Sequence, residues 1–229
     1  MGPDKKKEDV QKELYDLPYH WLLKGYLRVS YNFRNSIIIE QLKKFGSKSI
    51  LDIGCGDGKF ISDVQSSMPQ VRIIGVDSLE RAIRFARIMA DTDNFARMSG
   101  TLLAFKDDIF DTVTCLDVLE HIPVEDSIKL VDEIYRVMSP GGHCIVSVPS
   151  TKVKTHPMHY HHFTPGDILD LMGRKFDAVD LKGCCYYVPV LYTFLTRYSL
   201  IWRSLLPTIR LCNPNNCITL LYCGVKRGC

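Results

Sequence analysis

The stretch Leu-Asp-Ile-Gly-Cys-Gly-Asp-Gly-Lys-Phe, residues 51–60, constrains this chain more than any other. Gly54, Gly56 and Gly58 alternate where a β-branched run, Ser49 to Gly54, hands over to a helical one, 59–67. Glycine tolerates positive φ and lacks a Cβ, so a ligand can approach the backbone closely. The helix that follows offers free N–H groups at its start. One such loop can be a plain tight turn, so its surroundings matter.

Those surroundings alternate in period. Runs 71–77, 111–118 and 143–150 read as strands, and 79–90, 125–138 and 165–174 read as helices. The alternation predicts βαβ units and a mostly parallel sheet covered on both faces. Ser139-Pro140-Gly141-Gly142 is read as a turn into a strand at 143–149, and runs 177–188 and 216–226 as a closing strand pair. Residues 8–45 read as helices rich in aromatics (Tyr15, Tyr19, Trp21, Tyr26, Tyr31, Phe33), with Gly46 as a C-cap. The expected organisation is a helical cap over 1–46 and a ligand-binding domain over 47–229. The latter carries an apolar insertion at 189–211.

Asp77 ends the second strand, where open α/β sheets bind nucleotides and an acid accepts hydrogen bonds from ribose hydroxyls. Asp52, just before the first glycine, would repel a pyrophosphate but suits a cationic amino-acid group. This favours S-adenosylmethionine (SAM) over a dinucleotide.

The blocks ILDIGCGDGKF, IIGVDSLERAIRFAR, FDTVTCLDVLEHIP and RVMSPGGHCIVSVPS, in this order over residues 48–150, resemble the class I SAM-dependent methyltransferases. The resemblance implies a Rossmann-like α/β fold with a seven-stranded sheet, and SAM as cofactor. It places Gly54, Gly56 and Gly58 in the cofactor loop and Asp77 on the ribose. Asp52, Cys55, Ser78 and Asp117 complete the expected cofactor set. Ser99 falls where many relatives carry an acid toward the adenine, so adenine recognition is expected to rest on backbone and apolar contacts.

Asp117, Glu120 and His121 follow the fourth strand. Spacings of three and four share one face of a coil, and two carboxylates with an imidazole can hold Mg²⁺. Here the chain is similar to the ubiquinone-biosynthesis O-methyltransferases and, more distantly, to small-RNA 2′-O-methyltransferases. In both, an acid–x–x–Glu–His block contributes metal ligands, and the latter add a later histidine, a place open to His159, His161 or His162. The other reading of His121 is a packed core histidine.

His156-Pro-Met-His159-Tyr-His161-His162-Phe-Thr164-Pro165 holds four of the seven histidines. Thr164 and Pro165 read as an N-cap and first helical residue. In the superfamily a His–x–x–Phe–(Ser/Thr) segment borders the acceptor pocket, matched here with one extra residue. One or two histidines are expected to face the acceptor, the others to cap helices or meet solvent. Methyl transfer to a hydroxyl needs alignment and removal of one proton. His121 is the first candidate base and His159 the second.

The formal charge of +3 shows no basic stripe, so nucleic acid is not the expected partner. Nine cysteines without a CxxC pair fit reduced thiols in a cytoplasmic protein. Neither an export signal nor a run of the roughly 18 apolar residues that span a membrane is expected from these residues. The segment 189–211, aromatic and punctuated by Arg197, Arg203 and Arg210, suits a hydrophobic, lipid-like acceptor or peripheral membrane contact, or packing against the body or a second copy. The expected activity is methylation of a small molecule, most simply at oxygen. Carbon or nitrogen acceptors, an RNA 2′-hydroxyl, and SAM binding without turnover are the alternatives.

Overall fold

The β-branched runs lie side by side in one sheet in the computed structural model, which describes residues 3–186 and 210–227. Among the described residues the sheet has eight strands. They are β1 (Ser49–Ile53), β2 (Arg72–Asp77), β3 (Phe95–Arg97), β4 (Phe110–Leu116), β5 (Met138–Pro149), β6 (Phe176–Tyr186), β7 (Leu211–Cys212) and β8 (Cys217–Lys226), in spatial order 3-2-1-4-5-8-6-7. Strands β1 to β5 pair in parallel, and β8 inserts antiparallel between β5 and β6.

The expected seven strands are therefore joined by an eighth. β7 is two residues long and pairs antiparallel with β6 at Gly183 and Cys184, too short to leave a period in the sequence. The expected turn at 139–142 is instead a bulge inside β5. Phe110 pairs with Met138 and Thr112 with His143, so two steps along β4 meet five along β5. Gly141 absorbs the excursion at φ 74°.

The central strands are buried on both faces, as crossover helices demand. Along β1, Leu51 and Ile53 point into one core with α5 (Val124–Val137) and α6 (Pro165–Met172). Ile50 points into the other, with α2 (Gly25–Phe45), α3 (Lys59–Ser67) and α4 (Glu80–Ala90). An N-terminal helix α1 (Pro3–Leu14) and a 3-10 turn (His20–Leu22) precede α2. Gly46 closes α2 in the left-handed region at φ 68°. Thr164 caps α6 through a reciprocal pair with Asp167, at 2.8 and 3.1 Å.

Cys115 and Cys144 pack in the core, and the eight described cysteines are free thiols. Among the described residues no helix is long and apolar enough to cross a membrane. The insertion at 189–211, Arg210 and Leu211 apart, lies outside the described residues, so its expected acceptor, membrane and packing roles do too.

Candidate functional site

The C-terminal ends of β1, β2 and β4 open onto a cavity of about 700 Å³. Gly54 lines it, and the loop of Gly54, Gly56 and Gly58 turns there with φ of 73°, 54° and 76°. These are left-handed values that a Cβ disfavours. Two hydrogen bonds pin the loop to β2, from the Gly54 and Cys55 N–H to the Val76 carbonyl at 2.8 and 3.0 Å. Asp77 then accepts from Gly56 N at 3.0 Å and Leu79 N at 2.9 Å. Burial raises its pKa against those hydrogen bonds. Ser78 is exposed on the cavity wall, and Met98, Ser99, Gly100 and Thr101 line the side beyond it.

Asp52 and Cys55 also line the cavity but are largely committed elsewhere. Asp52 is 2% exposed and accepts from the Thr114 hydroxyl at 2.7 Å. Burial pushes its pKa up to about 7. Cys55 packs among apolar side chains, and burial raises its thiol well above the usual range.

The N-terminal segment, expected as an aromatic helical cap, supplies one wall, and sequence reasoning missed the part taken in it by His20 and Arg34. Tyr15, Tyr19, His20, Tyr31 and Arg34 all line the cavity. Arg34 is buried, pairs with Asp117 and donates to the Asn35 side-chain oxygen at 3.2 Å, while its Nε has no partner. Asp117 itself sits at φ 54° and accepts from the Ser147 hydroxyl at 2.8 Å. The signal was present in the sequence. Arg34 lies three residues after Tyr31 and four before Ile38, a lone cation on the inward face of a helix.

The Asp117–His121 block does not assemble as one coil face. The left-handed Asp117 breaks the coil, and only Leu119–His121 form a 3-10 turn. Glu120 is 2% exposed, its Oε2 has no partner, and burial, then Asp117, raises its pKa well above the usual range. His121 Nδ1 is likewise buried and unpartnered, and burial lowers its pKa to about 4.

The histidine loop closes over this block, tied by Tyr160 N to the Glu120 carbonyl at 2.7 Å. His156, His159 and His162 line the cavity, while His161 packs edge-on against Phe163. Helix capping falls to Thr164 rather than to any of the four histidines. The His159 and His121 rings meet edge to face at 4.7 Å. His159 Nδ1 lies 2.8 Å from His162 Nε2, and His162 Nδ1 lies 3.1 Å from the Val153 carbonyl. A carbonyl only accepts, so the neutral His162 carries its proton on Nδ1 and accepts at Nε2. His159 therefore donates from Nδ1 and keeps a lone pair on Nε2. Burial first, then His121, lowers the His159 pKa to about 3.

Ligand atoms of Glu120, His121 and His159 lie within 4.8 Å of one another, and Asp117 is not of this group. Mg²⁺ does not fit it, because Mg²⁺ takes oxygen ligands and this set offers two imidazoles. Two imidazoles and a carboxylate suit a borderline ion such as Mn²⁺ or Zn²⁺. The glycine loop, Asp77 and the buried Arg34 offer the open backbone, carboxylate and cation that a group such as SAM would need.

A family model described as a methyltransferase domain matches residues 30–212. The ubiquinone biosynthesis O-methyltransferase of Vibrio cholerae is 27% identical over 162 residues, covering 66% of this chain and 61% of that protein. An uncharacterised protein of Methanocaldococcus jannaschii is 31% identical over 145 residues, 60% of each. The chain thus spans about three fifths of the length of these curated relatives. Among solved structures, the N-methyltransferase NodS from Bradyrhizobium japonicum in complex with S-adenosyl-L-homocysteine (SAH) superposes with a TM-score of 0.66 at 14% identity. That match covers 96% of this chain and 98% of that one. A SAM-dependent methyltransferase from Archaeoglobus fulgidus gives 0.62 at 17% identity, over 89% and 100% of the two chains. At such identities these two structures speak for the fold alone.

Proposed function

The chain belongs to the methyltransferase-domain family of class I SAM-dependent methyltransferases, and from that premise we propose that it methylates a small-molecule hydroxyl. The observation that carries this reading is the His159–His162–Val153 relay. It leaves an unprotonated imidazole nitrogen in the cavity that also holds the glycine loop and Asp77.

SAM, when bound, supplies a methyl group already activated on a sulfonium. The protein's part is to align and to take a proton. Asp77 would accept from the ribose hydroxyls, and the backbone of the glycine loop would admit the methionine portion. Arg34 would offer positive charge to a methionine carboxylate, and Tyr15, Tyr19 and Tyr31, which line the cavity, would keep water from the sulfonium. His159 Nε2 would take the proton that the acceptor hydroxyl gives up on methylation. His159 rather than His121 is the base in this reading, because its tautomer is fixed and its lone pair is free. So weak a base suits an acidic hydroxyl, such as a phenol, better than an alcohol. Two of the relatives, named for ubiquinone biosynthesis, agree with an oxygen acceptor and with a hydrophobic one.

The test is label transfer from methyl-deuterated SAM into fractionated cell extract, read by mass spectrometry. A mass-shifted hydroxyl product that His159→Gln reduces at least about tenfold supports the reading. Labelling at carbon or nitrogen, or SAM binding without any product, overturns it.

A second reading rests on the buried, unpartnered Glu120 Oε2 and His121 Nδ1 beside His159. These residues hold a borderline divalent ion that orients the acceptor oxygen. Isothermal titration with Mn²⁺ or Zn²⁺ tests it directly. Binding lost in Glu120→Gln supports the metal, and no binding by the wild type removes it.

A further inference from the structure

The glycine loop carries one side chain that the cofactor reading leaves unused. Asp57, between Gly56 and Gly58, is fully buried at 0% exposure. A buried carboxylate is costly unless paired, and both its oxygens go to one residue of the N-terminal segment. His20 N donates to Oδ2 at 2.7 Å, and His20 Nδ1 lies 2.9 Å from Oδ1. Trp21 Nε1 donates to the Asp57 carbonyl at 2.9 Å. Three hydrogen bonds thus fasten residues 20–21 to the loop.

The neighbouring contacts point the same way. The Tyr15 hydroxyl comes so close that a Cβ on Gly56 would lie 2.5 Å from it, and His20 Cε1 would lie 3.3 Å away. The His20 ring is flanked by Tyr19 and Tyr31 at 5.1 and 5.2 Å between centroids. Tyr15, Tyr19, His20 and Tyr31 all border the cavity. The segment that walls the cavity is therefore held by the glycine loop, through a side chain that does not itself line the cavity.

We propose that His20 and Asp57 form a latch coupling residues 15–22 to the glycine loop, so that cofactor binding and ordering of the cavity wall are one event. His20 is a positioning residue here, acting on the cofactor through the wall it fastens. The inference rests on the cofactor reading. A ligand that settles on the loop fixes Asp57, and the fixed carboxylate holds His20. By reciprocity, loss of the latch weakens the ligand.

The test uses the whole chain with SAH as the probe. Trp21 and Trp202 are the two tryptophans, so Trp202→Phe leaves Trp21 as the reporting indole. Three readouts are taken: SAH affinity by calorimetry, the SAH-induced change in Trp21 fluorescence, and hydrogen-exchange protection of 15–22. His20→Asn keeps a donor near the Nδ1 position, and His20→Gln moves it to the Nε2 position. The latch predicts that His20→Gln lowers SAH affinity about tenfold, the size of one charge-assisted hydrogen bond. It also abolishes the SAH-induced protection, and His20→Asn restores both. Equal SAH affinity and protection in His20→Gln and wild type overturns the latch, even if the variant melts at lower temperature. Failure of His20→Asn to restore what His20→Gln loses overturns it as well. Failure of the wild type to bind SAH at all strikes the cofactor reading first and takes the latch with it.

Discussion

Replacing Gly54 by Ala tests whether the floor of the cavity is shaped as described. Gly54 sits at φ 73°, where a side chain costs roughly 1–2 kcal/mol. Its new Cβ would lie 2.3 Å from Val118 Cγ2 and 3.4 Å from Val118 Cβ and Cγ1. No real Cβ tolerates the first distance, so Val118 must move, and overpacking of this kind costs about 1–3 kcal/mol. The two effects together predict a destabilisation of about 2–5 kcal/mol, read as a lower urea midpoint at unchanged slope. They separate in a double-mutant cycle. Val118→Ala removes the clash but not the backbone strain. Gly54→Ala should therefore cost only about 1–2 kcal/mol in the Val118→Ala background, a coupling of about 1–3 kcal/mol. Val118 also follows Asp117 and leads into Glu120, so the single variant should weaken SAH binding more than the double does. A Gly54→Ala chain within about 0.5 kcal/mol of wild type, or a coupling below that figure, would refute the reasoning.

Two further outcomes are expected. Asp52 has a folded pKa near 7, above its unfolded value near 3.8, so its stabilising contribution is present in acid and lost as pH rises between the two. Asp52→Asn should make the slope of stability against pH more positive than in wild type by about 1.4 kcal/mol per unit between pH 5 and 6, and parallel slopes in urea melts would contradict this. Asp77→Ala removes the acceptor for both Gly56 N and Leu79 N. It should lower SAH affinity at least about tenfold in calorimetry, and undiminished binding would remove Asp77 from the site.

The parts of the fold that are periodic were readable from the chain. The helix over 59–67 and the cap at Thr164 match the structure residue for residue, because period and capping are local properties. The edge strand Leu211–Cys212 was not readable, since a two-residue strand exists only where a partner waits. Nor was the bulge in β5. Pro140-Gly141-Gly142 signals a turn locally, but β4 pairs with Met138 before it and His143 after it and so keeps both ends in one strand.

The site divides along the same line. The left-handed turn through Gly54, Gly56 and Gly58 and the place of Asp77 at the end of the next strand were readable from the sequence, because strand, loop and helix are contiguous. What surrounds them comes from far along the chain and needed the fold. Arg34 meets Asp117 across 83 positions, and His20 meets Asp57 across 37. The metal-type group takes His159 in place of Asp117, because a left-handed backbone at Asp117 turns that carboxylate toward Arg34 and Ser147. Four histidines in one loop announced a function without assigning it. One hydrogen bond from His162 to the Val153 carbonyl decides which nitrogen of His159 is free. Sequence fixes what neighbouring residues do to one another through backbone geometry. Which distant polar groups share a cavity, and so which are paired and which are left to act, is decided only when burial makes each unpaired group costly.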